Sequence, residues 1–373
     1  MRIGVAAEIV AGEARVAATA ETVKKLVGQQ HEVLVQTGAG LRAGVLDADY
    51  EAAGAKLVDA EAALGAELVL KVRRPQAEEL GRMRAGAAVV GMLEPFDEEG
   101  LRAMAAAGLS AFALEAAPRT TRAQSLDVLS SQANIAGYKA VLVAADLYPR
   151  FMPMLMTAAG TVKAARLVVL GAGVAGLQAI ATAKRLGAVV EASDVRPAAR
   201  EQVESLGAKF IDVPFETDEE REIAQGVGGY ARPMPQSWLA RQAEQVAARV
   251  RQADIVISTA LIPGRRAPTL VSEEMVRSMR AGSVLVDMAA AQGGNCPLSE
   301  PDRVVLKHGV TIVGHTNLPS MMAADASSLY ARNVLDFLKL VLDKDKGLVV
   351  NLEDDIVNAC LVTQAGEVRR KNS

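Results

Sequence analysis

The sequence predicts an α/β protein made of two domains. With 373 residues, half of them hydrophobic, the chain is long enough to bury two cores. Strand-like and helix-like stretches alternate along both halves, and a glycine-rich turn joins one such pair near residue 171. Alternation of this kind is typical of parallel sheets covered by helices. We therefore expect two Rossmann-like domains with parallel sheets, the second of them doubly wound, separated by a cleft.

The strands of the first domain are predicted from short apolar runs. These runs lie at residues 3–7, 32–36, 67–72, 87–93 and 109–114. Helix-like stretches separate them, and several of those stretches end at a glycine, as helix C-termini commonly do. The pattern predicts that these strands lie parallel in one sheet.

The second domain is predicted to repeat this pattern. Its strand-like runs lie at residues 166–170, 189–192, 209–213, 254–259, 283–288 and 311–314. A helix-like stretch at residues 325–342 is expected to return to the first domain. The predicted domains are therefore residues 1–128 together with 303–373, and residues 129–302.

Composition excludes several classes of protein. A formal net charge of −3 and an aromatic content of 3% provide neither the basic field nor the stacking surface that nucleic-acid binding needs. The two cysteines and three histidines lack metal-ligand spacing, so no metal site is predicted. The sequence shows no membrane-span pattern, and it opens on a strand-like run where a secreted protein would carry a signal peptide. We expect a cytoplasmic protein.

The most specific motif is the glycine turn, residues 171–176, which follows a predicted strand and opens a predicted helix. Gly171 permits the tight turn, Gly173 lets the backbone approach a pyrophosphate, and Gly176 lets the helix pack on the sheet. The helix N-terminus, with Val174 and Ala175 in its first turn, supplies an anion site. This order of features indicates dinucleotide binding. A glycine-rich turn of some other α/β unit is the alternative.

An acidic residue follows the next predicted strand, at the position where dinucleotide-binding domains hold a ribose. Asp194 is placed to bind a ribose 2′-hydroxyl, and its charge would repel a 2′-phosphate. Arg196, separated from it by Val195, leaves the preference for NAD(H) over NADP(H) open to test. We expect the cofactor of this chain to be NAD(H).

A polar segment between the domains, the crossover segment at residues 119–131, carries a second group of candidates. Gln124, Asp127 and Ser131 are spaced to share one face of a helix, with Ser130 beside them and Arg119 upstream. An amide and a hydroxyl would suit a nicotinamide carboxamide, which needs both a donor and an acceptor. Spacing alone favours a simpler arrangement, in which Asp127 caps the helix and pairs with Arg119.

Residues 215–235 interrupt the alternating pattern. An acidic run is followed by glycines and prolines, and Tyr230 is the one large aromatic residue among them. The composition is compatible with a mobile lid over a bound nucleotide and equally with a solvated loop.

Five stretches resemble the NAD(H)-binding domain I of proton-translocating nicotinamide nucleotide transhydrogenase. They are residues 118–138, 156–161, 171–176, 259–264 and 293–297. The resemblance covers essentially the whole chain. It implies that the nicotinamide-contacting, catalytic residues of this chain are Arg119, Gln124, Asp127 and Ser130. It also implies cofactor contacts at Thr259, Ala260 and Leu261, and it makes Tyr230 the tyrosine of a mobile loop.

The same resemblance implies partners for this chain. It indicates a homodimer that works with an NADP(H)-binding domain III and a membrane-spanning domain II carried on separate subunits. Hydride would pass between NAD(H) here and NADP(H) on the partner while protons cross the membrane. This chain would lie on the inner face of the membrane, held there by its partners.

Alanine dehydrogenase, a relative with the same two-domain plan, is the main alternative. Oxidising an amino acid removes a proton as well as a hydride and needs a general acid/base. The histidine that alanine dehydrogenases carry after the fourth strand is absent from residues 90–94, and Ala291 occupies the position of their aspartate. Arg15 and Lys71 match their substrate-carboxylate residues, but without an acid/base we interpret both as structural. An NAD(H)-sensing regulator without turnover is a further alternative.

Overall fold

The computed structural model describes residues 1–224, 234–262 and 264–369. The chain divides into two compact units. Unit 1 comprises Met1–Gln132 and Pro319–Ser373, and unit 2 comprises Ala133–Leu318. The sequence analysis placed the divisions after residues 128 and 302.

The strands of the described chain are short, as is usual for α/β proteins. They are β1 (Arg2–Val5), β2 (Glu32–Gln36), β3 (Lys56–Val58), β4 (Leu68–Arg73), β5 (Ala88–Met92), β6 (Ser110–Ala113), β7 (Leu155–Thr157), β8 (Gly160–Val162), β9 (Arg166–Leu170), β10 (Val189–Ser193), β11 (Lys209–Phe210), β12 (Ile255–Ser258), β13 (Val284–Asp287), β14 (Val304–Lys307), β15 (Val310–Val313), β16 (Leu342–Asp343), β17 (Gly347–Leu348), β18 (Leu361–Gln364) and β19 (Glu367–Val368).

Helices connect most of these strands. They are α1 (Ala20–Gly28), α2 (Asp47–Ala52), α3 (Ala60–Leu64), α4 (Ala77–Leu80), α5 (Glu98–Ala106), α6 (Val128–Leu147), α7 (Val174–Arg185), α8 (Ala199–Ser205), α9 (Asp218–Ala224), α10 (Gln236–Val250), α11 (Glu273–Ser278), α12 (Ala323–Val341) and α13 (Asp355–Cys360). Short 3₁₀ helices lie at Leu41–Ala43, Leu114–Ala116, Thr121–Leu126, Ala290–Gln292 and Leu318–Met322. None of the helices described is both long enough and apolar enough to cross a bilayer.

Unit 1 is built on a sheet with the strand order β19-β18-β6-β5-β4-β1-β2-β3. The strands from β3 to β6 run parallel, which confirms the prediction from the alternating pattern. Apolar side chains on both faces of this sheet pack into two buried clusters, one of them completed by α12. The predicted helical return to the first domain is therefore present.

Unit 2 is built on a sheet with the strand order β11-β10-β9-β12-β13-β15-β14. From β9 the chain moves outward to β10 and β11, then returns to place β12 on the other side of β9. This reversal makes the sheet doubly wound, as predicted, and in such sheets ligands bind beyond the carboxyl ends of the strands at the point of reversal. The alternate residues of β9 pack into clusters on opposite faces, so the strand is buried on both sides.

Both sheets end in antiparallel strands, which the sequence analysis did not predict. Strand β18 runs antiparallel to β6, and β14 runs antiparallel to β15. In each case a tight hairpin turn, rather than a helix, joins the edge strand to its neighbour in the chain: β18 to β19 and β14 to β15. The prediction of purely parallel sheets is wrong at these edges, because a hairpin requires antiparallel pairing.

Candidate dinucleotide site

The glycine turn lies in unit 2, between the end of β9 and the start of α7. Gly171 has a φ of +99°, a conformation that residues with a Cβ rarely adopt. An added Cβ at this position would lie 2.6 Å from Oγ1 of Thr259. An added Cβ at Gly176 would overlap the carbonyl oxygen of Gly171, so only glycine lets α7 pack this closely on the turn. At Gly173, by contrast, an added Cβ would meet open space, which fits the approach of a ligand.

The start of α7 offers an anion site above this turn. Gly173 is the N-cap, and Leu177 N donates the first helical hydrogen bond, to Gly173 O at 2.8 Å. The N–H groups of Val174, Ala175 and Gly176 precede that bond and have no acceptor within the helix. Together with the helix dipole, they suit the negative charge of a pyrophosphate.

Asp194 is held directly beside the glycine turn. Its Oδ2 accepts from the backbone N–H of Ala172 at 2.8 Å, which joins the end of β10 to the turn after β9. Arg196 binds both carboxylate oxygens at 2.9 Å, through Nε and a terminal nitrogen. The Asp194 side chain is nearly buried and Arg196 is partly exposed. The predicted ribose-binding carboxylate therefore lies where the fold requires it, with Val195 carrying the chain to a guanidinium that shares it.

The loop after β12 packs against the other side of the turn. Thr259 N donates to Leu170 O at 2.8 Å, and Thr259 Oγ1 donates to Gly171 O at 2.9 Å. Leu261, two residues on, is 41% exposed. The structure thus brings the glycine turn, Asp194 and Thr259–Leu261 together at the carboxyl end of one sheet, within one unit.

The crossover segment candidates lie in unit 1, with Asp127 as the residue that organises them. Gln124 lies on a 3₁₀ helix that ends at Leu126, and α6 starts only at Val128, so the predicted continuous helical face is wrong. Asp127 caps α6, as the simpler interpretation of the spacing predicted. Its Oδ1 accepts from Ser130 N at 2.9 Å, and its Oδ2 accepts from Ser130 Oγ at 2.5 Å. Gln124 and Arg119 are exposed.

Sequence analysis missed a residue that holds this segment in place. Asn333 on α12 donates through Nδ2 to the carbonyl oxygen of Ser125 at 2.7 Å, and its Oδ1 accepts from Ser131 Oγ at 2.6 Å. Asn333 is 8% exposed, so one buried amide joins both ends of the turn that carries Asp127. A polar residue on the buried face of an otherwise apolar helix was the available signal.

Arg15 and Lys71 lie in unit 1 as members of buried ion pairs. The Arg15 guanidinium donates to both carboxylate oxygens of Glu13, at 2.6 and 2.7 Å, and to Gln132 Oε1 at 2.8 Å. Burial alone would raise the pKa of Glu13, but its hydrogen bonds and charge interaction with Arg15 lower it to about 2. Lys71 is fully buried and pairs with Glu8 and Glu79. Both cations are already neutralised by carboxylates, which supports a structural role.

Residues 90–94, which lack the histidine of alanine dehydrogenases, lie next to a buried carboxyl group. The backbone N–H groups of Leu93 and Glu94 donate to the two oxygens of Glu115, at 3.1 and 2.7 Å. Burial raises the pKa of Glu115 to about 7, against the lowering effect of these hydrogen bonds. This group connects the loop after β5 to the segment that leads into Arg119.

The Glu115 pKa predicts a pH dependence of stability. From about pH 4.5 to about 7 the unfolded chain loses this proton while the folded chain keeps it, so the free energy of unfolding falls with rising pH and then levels. In Glu115→Gln this contribution, on the order of 2 kcal/mol, is absent. Urea unfolding at pH 5 and pH 8 checks this, with Glu51→Gln, an exposed site on α2, as the control. A Glu115→Gln profile parallel to that of the unaltered protein would contradict the assignment.

One candidate cannot be placed. Tyr230, the tyrosine of the predicted mobile loop, lies outside the described residues. On either side of it, Phe215 and the buried Trp238 stack with ring centroids 5.9 Å apart. This cluster also contains Val195, the neighbour of Asp194.

Comparisons with known proteins agree with this site. The models for the N-terminal and C-terminal domains of alanine dehydrogenase/PNT match residues 4–136 and 140–371. The first of the two chains that make up NAD(P) transhydrogenase subunit alpha in Rhodospirillum rubrum is 50% identical over 99% of this chain and 97% of its own length. The corresponding protein of Rickettsia prowazekii is 44% identical, over 99% and 96%.

Solved structures give the same result. A transhydrogenase from Sinorhizobium meliloti superimposes with a TM-score of 0.86 and 48% identity, over 99% of both chains. An L-alanine dehydrogenase superimposes with a TM-score of 0.82 and 28% identity, over 99% of this chain and 97% of its own.

The doubly wound sheet, the glycine turn and the acidic residue beside it define an NAD(H)-binding oxidoreductase domain. The chain belongs to the alanine dehydrogenase/PNT family. Its identity to the two transhydrogenase alpha subunits above, 44 and 50%, exceeds the 31 and 33% that it shares with alanine dehydrogenases of Bacillus subtilis and Halomonas elongata.

Proposed function

We propose that this chain passes hydride between NAD(H) bound at its own glycine turn and NADP(H) bound by a partner domain. The observation that carries the proposal is the position of Asp194, whose carboxylate lies against the turn and would repel a 2′-phosphate. A site selective for NAD(H) leaves NADP(H) to another chain. The similarity to transhydrogenase alpha subunits that are themselves divided into separate chains supports this division of the enzyme.

In this reaction bound NADH supplies a hydride from C4 of its ring, which leaves NAD⁺ and converts NADP⁺ to NADPH. No proton is gained or lost at the reacting carbons, so the protein has to hold the ring rather than supply an acid or base. The absence of a histidine at residues 90–94 and of an acid at Ala291 is then no defect. The neutralised Arg15 and Lys71 fit this function better than binding of an amino-acid carboxylate.

We assign ring positioning to the crossover segment, with Arg119 and Gln124 on its exposed surface. The Ser130 hydroxyl donates its hydrogen to Asp127, and its remaining lone pairs are therefore oriented to accept from the N–H₂ of the carboxamide. Gln124 can donate to the carboxamide oxygen and accept from its N–H₂. Asp127 acts through Ser130, because it fixes both the backbone and the hydroxyl of that residue.

The partners in this proposal are an NADP(H)-binding domain III and a membrane-spanning domain II on separate subunits, which couple hydride transfer to proton translocation. They hold this chain at the cytoplasmic face of the membrane. The chain itself forms a homodimer. The β7–β8 hairpin is the candidate dimer surface, since Phe151, Met154 and Met156 are 55, 61 and 72% exposed around it.

Replacing one apolar side chain of this surface by a charged one is expected to break the dimer. Met156→Glu would bury a carboxylate in the proposed interface, so sedimentation velocity should show a monomer. Leu306→Glu, which alters an equally exposed side chain on β14, is the matched control and should sediment as a dimer. A Met156→Glu protein that remains dimeric would place the interface elsewhere.

A coupled assay tests the function itself. Purified chain is mixed with NADH and a separately prepared transhydrogenase domain III loaded with NADP⁺, and NADPH formation is followed. We expect turnover only with both proteins present, and none with alanine and NAD⁺. Oxidation of alanine without a partner would establish the dehydrogenase alternative. NADH binding without any turnover would establish the regulator.

A further inference from the structure

The doubly wound topology assigns the two halves of a dinucleotide to opposite sides of β9. Asp194 at the end of β10 marks the adenosine side, because that residue type binds the adenosine ribose in this fold. Strand β12 lies on the other side of β9. The loop after β12, with Thr259, Ala260 and Leu261, therefore faces the nicotinamide half. Errors in its position would act on the reacting ring more than on the adenosine.

This loop is held by a side chain from the loop after β13. Asn295 donates through Nδ2 to the carbonyl oxygen of Ala260 at 2.9 Å, and its Oδ1 accepts from Ala260 N at 3.2 Å. The same Nδ2 donates to Pro268 O at 2.8 Å. The carbonyl of Asn295 also accepts from Leu270 and Val271, so this residue holds both ends of the loop.

Asn295 is itself fixed and fully buried. The buried Asp287, at the end of β13, accepts from the backbone N–H of Cys296 at 3.0 Å and from Ser299 Oγ at 2.6 Å. The brace therefore runs from β13 through Asp287 and Asn295 to Ala260, and from Thr259 to the glycine turn. Only a primary amide offers both donors and an acceptor in this arrangement.

We propose that Asn295 is a positioning residue for hydride transfer: it holds the backbone of Ala260, and through it the loop beneath the nicotinamide half of the bound dinucleotide. The proposal rests on the proposed function. Both backbone polar groups of Ala260 are taken by Asn295, so Ala260 contributes shape to the site and not hydrogen bonds. The anion site at α7 and the carboxylate of Asp194 do not depend on this brace, and most of the affinity for NADH is therefore retained without it.

The test compares Asn295→Ala and Asn295→Asp with Ser283→Ala. Ser283 is a matched control because its buried hydroxyl also donates to a backbone carbonyl, that of Ala253, but at the opposite end of β13. The rate of hydride transfer to NADP⁺-loaded domain III and the NADH dissociation constant are measured for each. We expect Asn295→Ala to lower the rate roughly 10- to 100-fold while the dissociation constant changes less than about threefold.

Asn295→Asp keeps the acceptor for Ala260 N but loses both donors, so it should lie between Asn295→Ala and the unaltered protein. It also provides the test if Asn295→Ala does not fold. Amide exchange of a peptide covering residues 259–262 should be faster in the Asn295 variants and unchanged in Ser283→Ala. Equal rates in Asn295→Asp and Ser283→Ala, with transfer intact in the unaltered protein, would overturn the proposal. Loss of transfer in the unaltered protein would instead overturn the proposed function.

Discussion

Gln124→Asn is expected to slow hydride transfer by about two orders of magnitude while NADH binds nearly as before. The substitution keeps the amide but withdraws it by one methylene, which shifts the carboxamide contact by about 1 Å, and a misplacement of that size can cost on the order of 100-fold in rate. Binding energy from the glycine turn and Asp194 in unit 2 is unaffected. Single-turnover transfer to NADP⁺-loaded domain III gives the rate, and NADH fluorescence gives the dissociation constant.

The matched control for this variant is Ser125→Ala, in the same 3₁₀ helix. The backbone carbonyl of Ser125 still accepts from Asn333 in that variant, so the segment keeps its anchor. We expect its rate to stay within about twofold of the unaltered protein. A Gln124→Asn protein that loses affinity and rate in equal proportion would show that Gln124 contributes binding rather than positioning.

Asp194→Ala is expected to weaken NADH binding by roughly 10- to 100-fold and to raise affinity for NADPH. The first effect follows from loss of a charge-assisted hydrogen bond to the ribose, worth about 1.5–3 kcal/mol. The second follows from release of Arg196, whose guanidinium binds both oxygens of this carboxylate and would then be available to a 2′-phosphate. Titration of each nucleotide by calorimetry checks both.

Two further variants separate these effects from damage to the turn. Asp194→Asn keeps an acceptor for Ala172 N, so it should preserve the glycine turn and still relax discrimination. Adding Arg196→Gln to Asp194→Ala should abolish the gain in NADPH affinity. An unchanged preference for NADH in both Asp194 variants would mean that the ribose is held elsewhere.

The fold was predictable where the determinants are local. Strand β9, the glycine turn and α7 follow one another within about twenty residues, and each carries its own steric requirement, so sequence alone located them. The antiparallel edges were not predictable in the same way. A short apolar run such as β18 can join a sheet in either direction, and its pairing with β6, more than 240 residues earlier in the chain, decides between them.

The polar residues that hold the site together were missed for a similar reason. Asn295 binds a peptide 35 residues away, and Asn333 binds Ser131 across 202 residues. No local pattern distinguishes a buried amide with such partners from a solvated one. The crossover segment was misread as one helix because the spacing of its residues fits a helical face, whereas the Asp127 cap starts a new helix at that point.

The most direct test of the central claim is to follow the hydrogen itself. NADH carrying deuterium at both C4 positions is mixed with this chain and NADP⁺-loaded domain III in ordinary water, and the NADPH formed is analysed by mass spectrometry. Direct transfer between two nicotinamides predicts one deuterium at C4 of every NADPH molecule, with none lost to solvent. NADPH without deuterium, or no NADPH at all, would contradict the account.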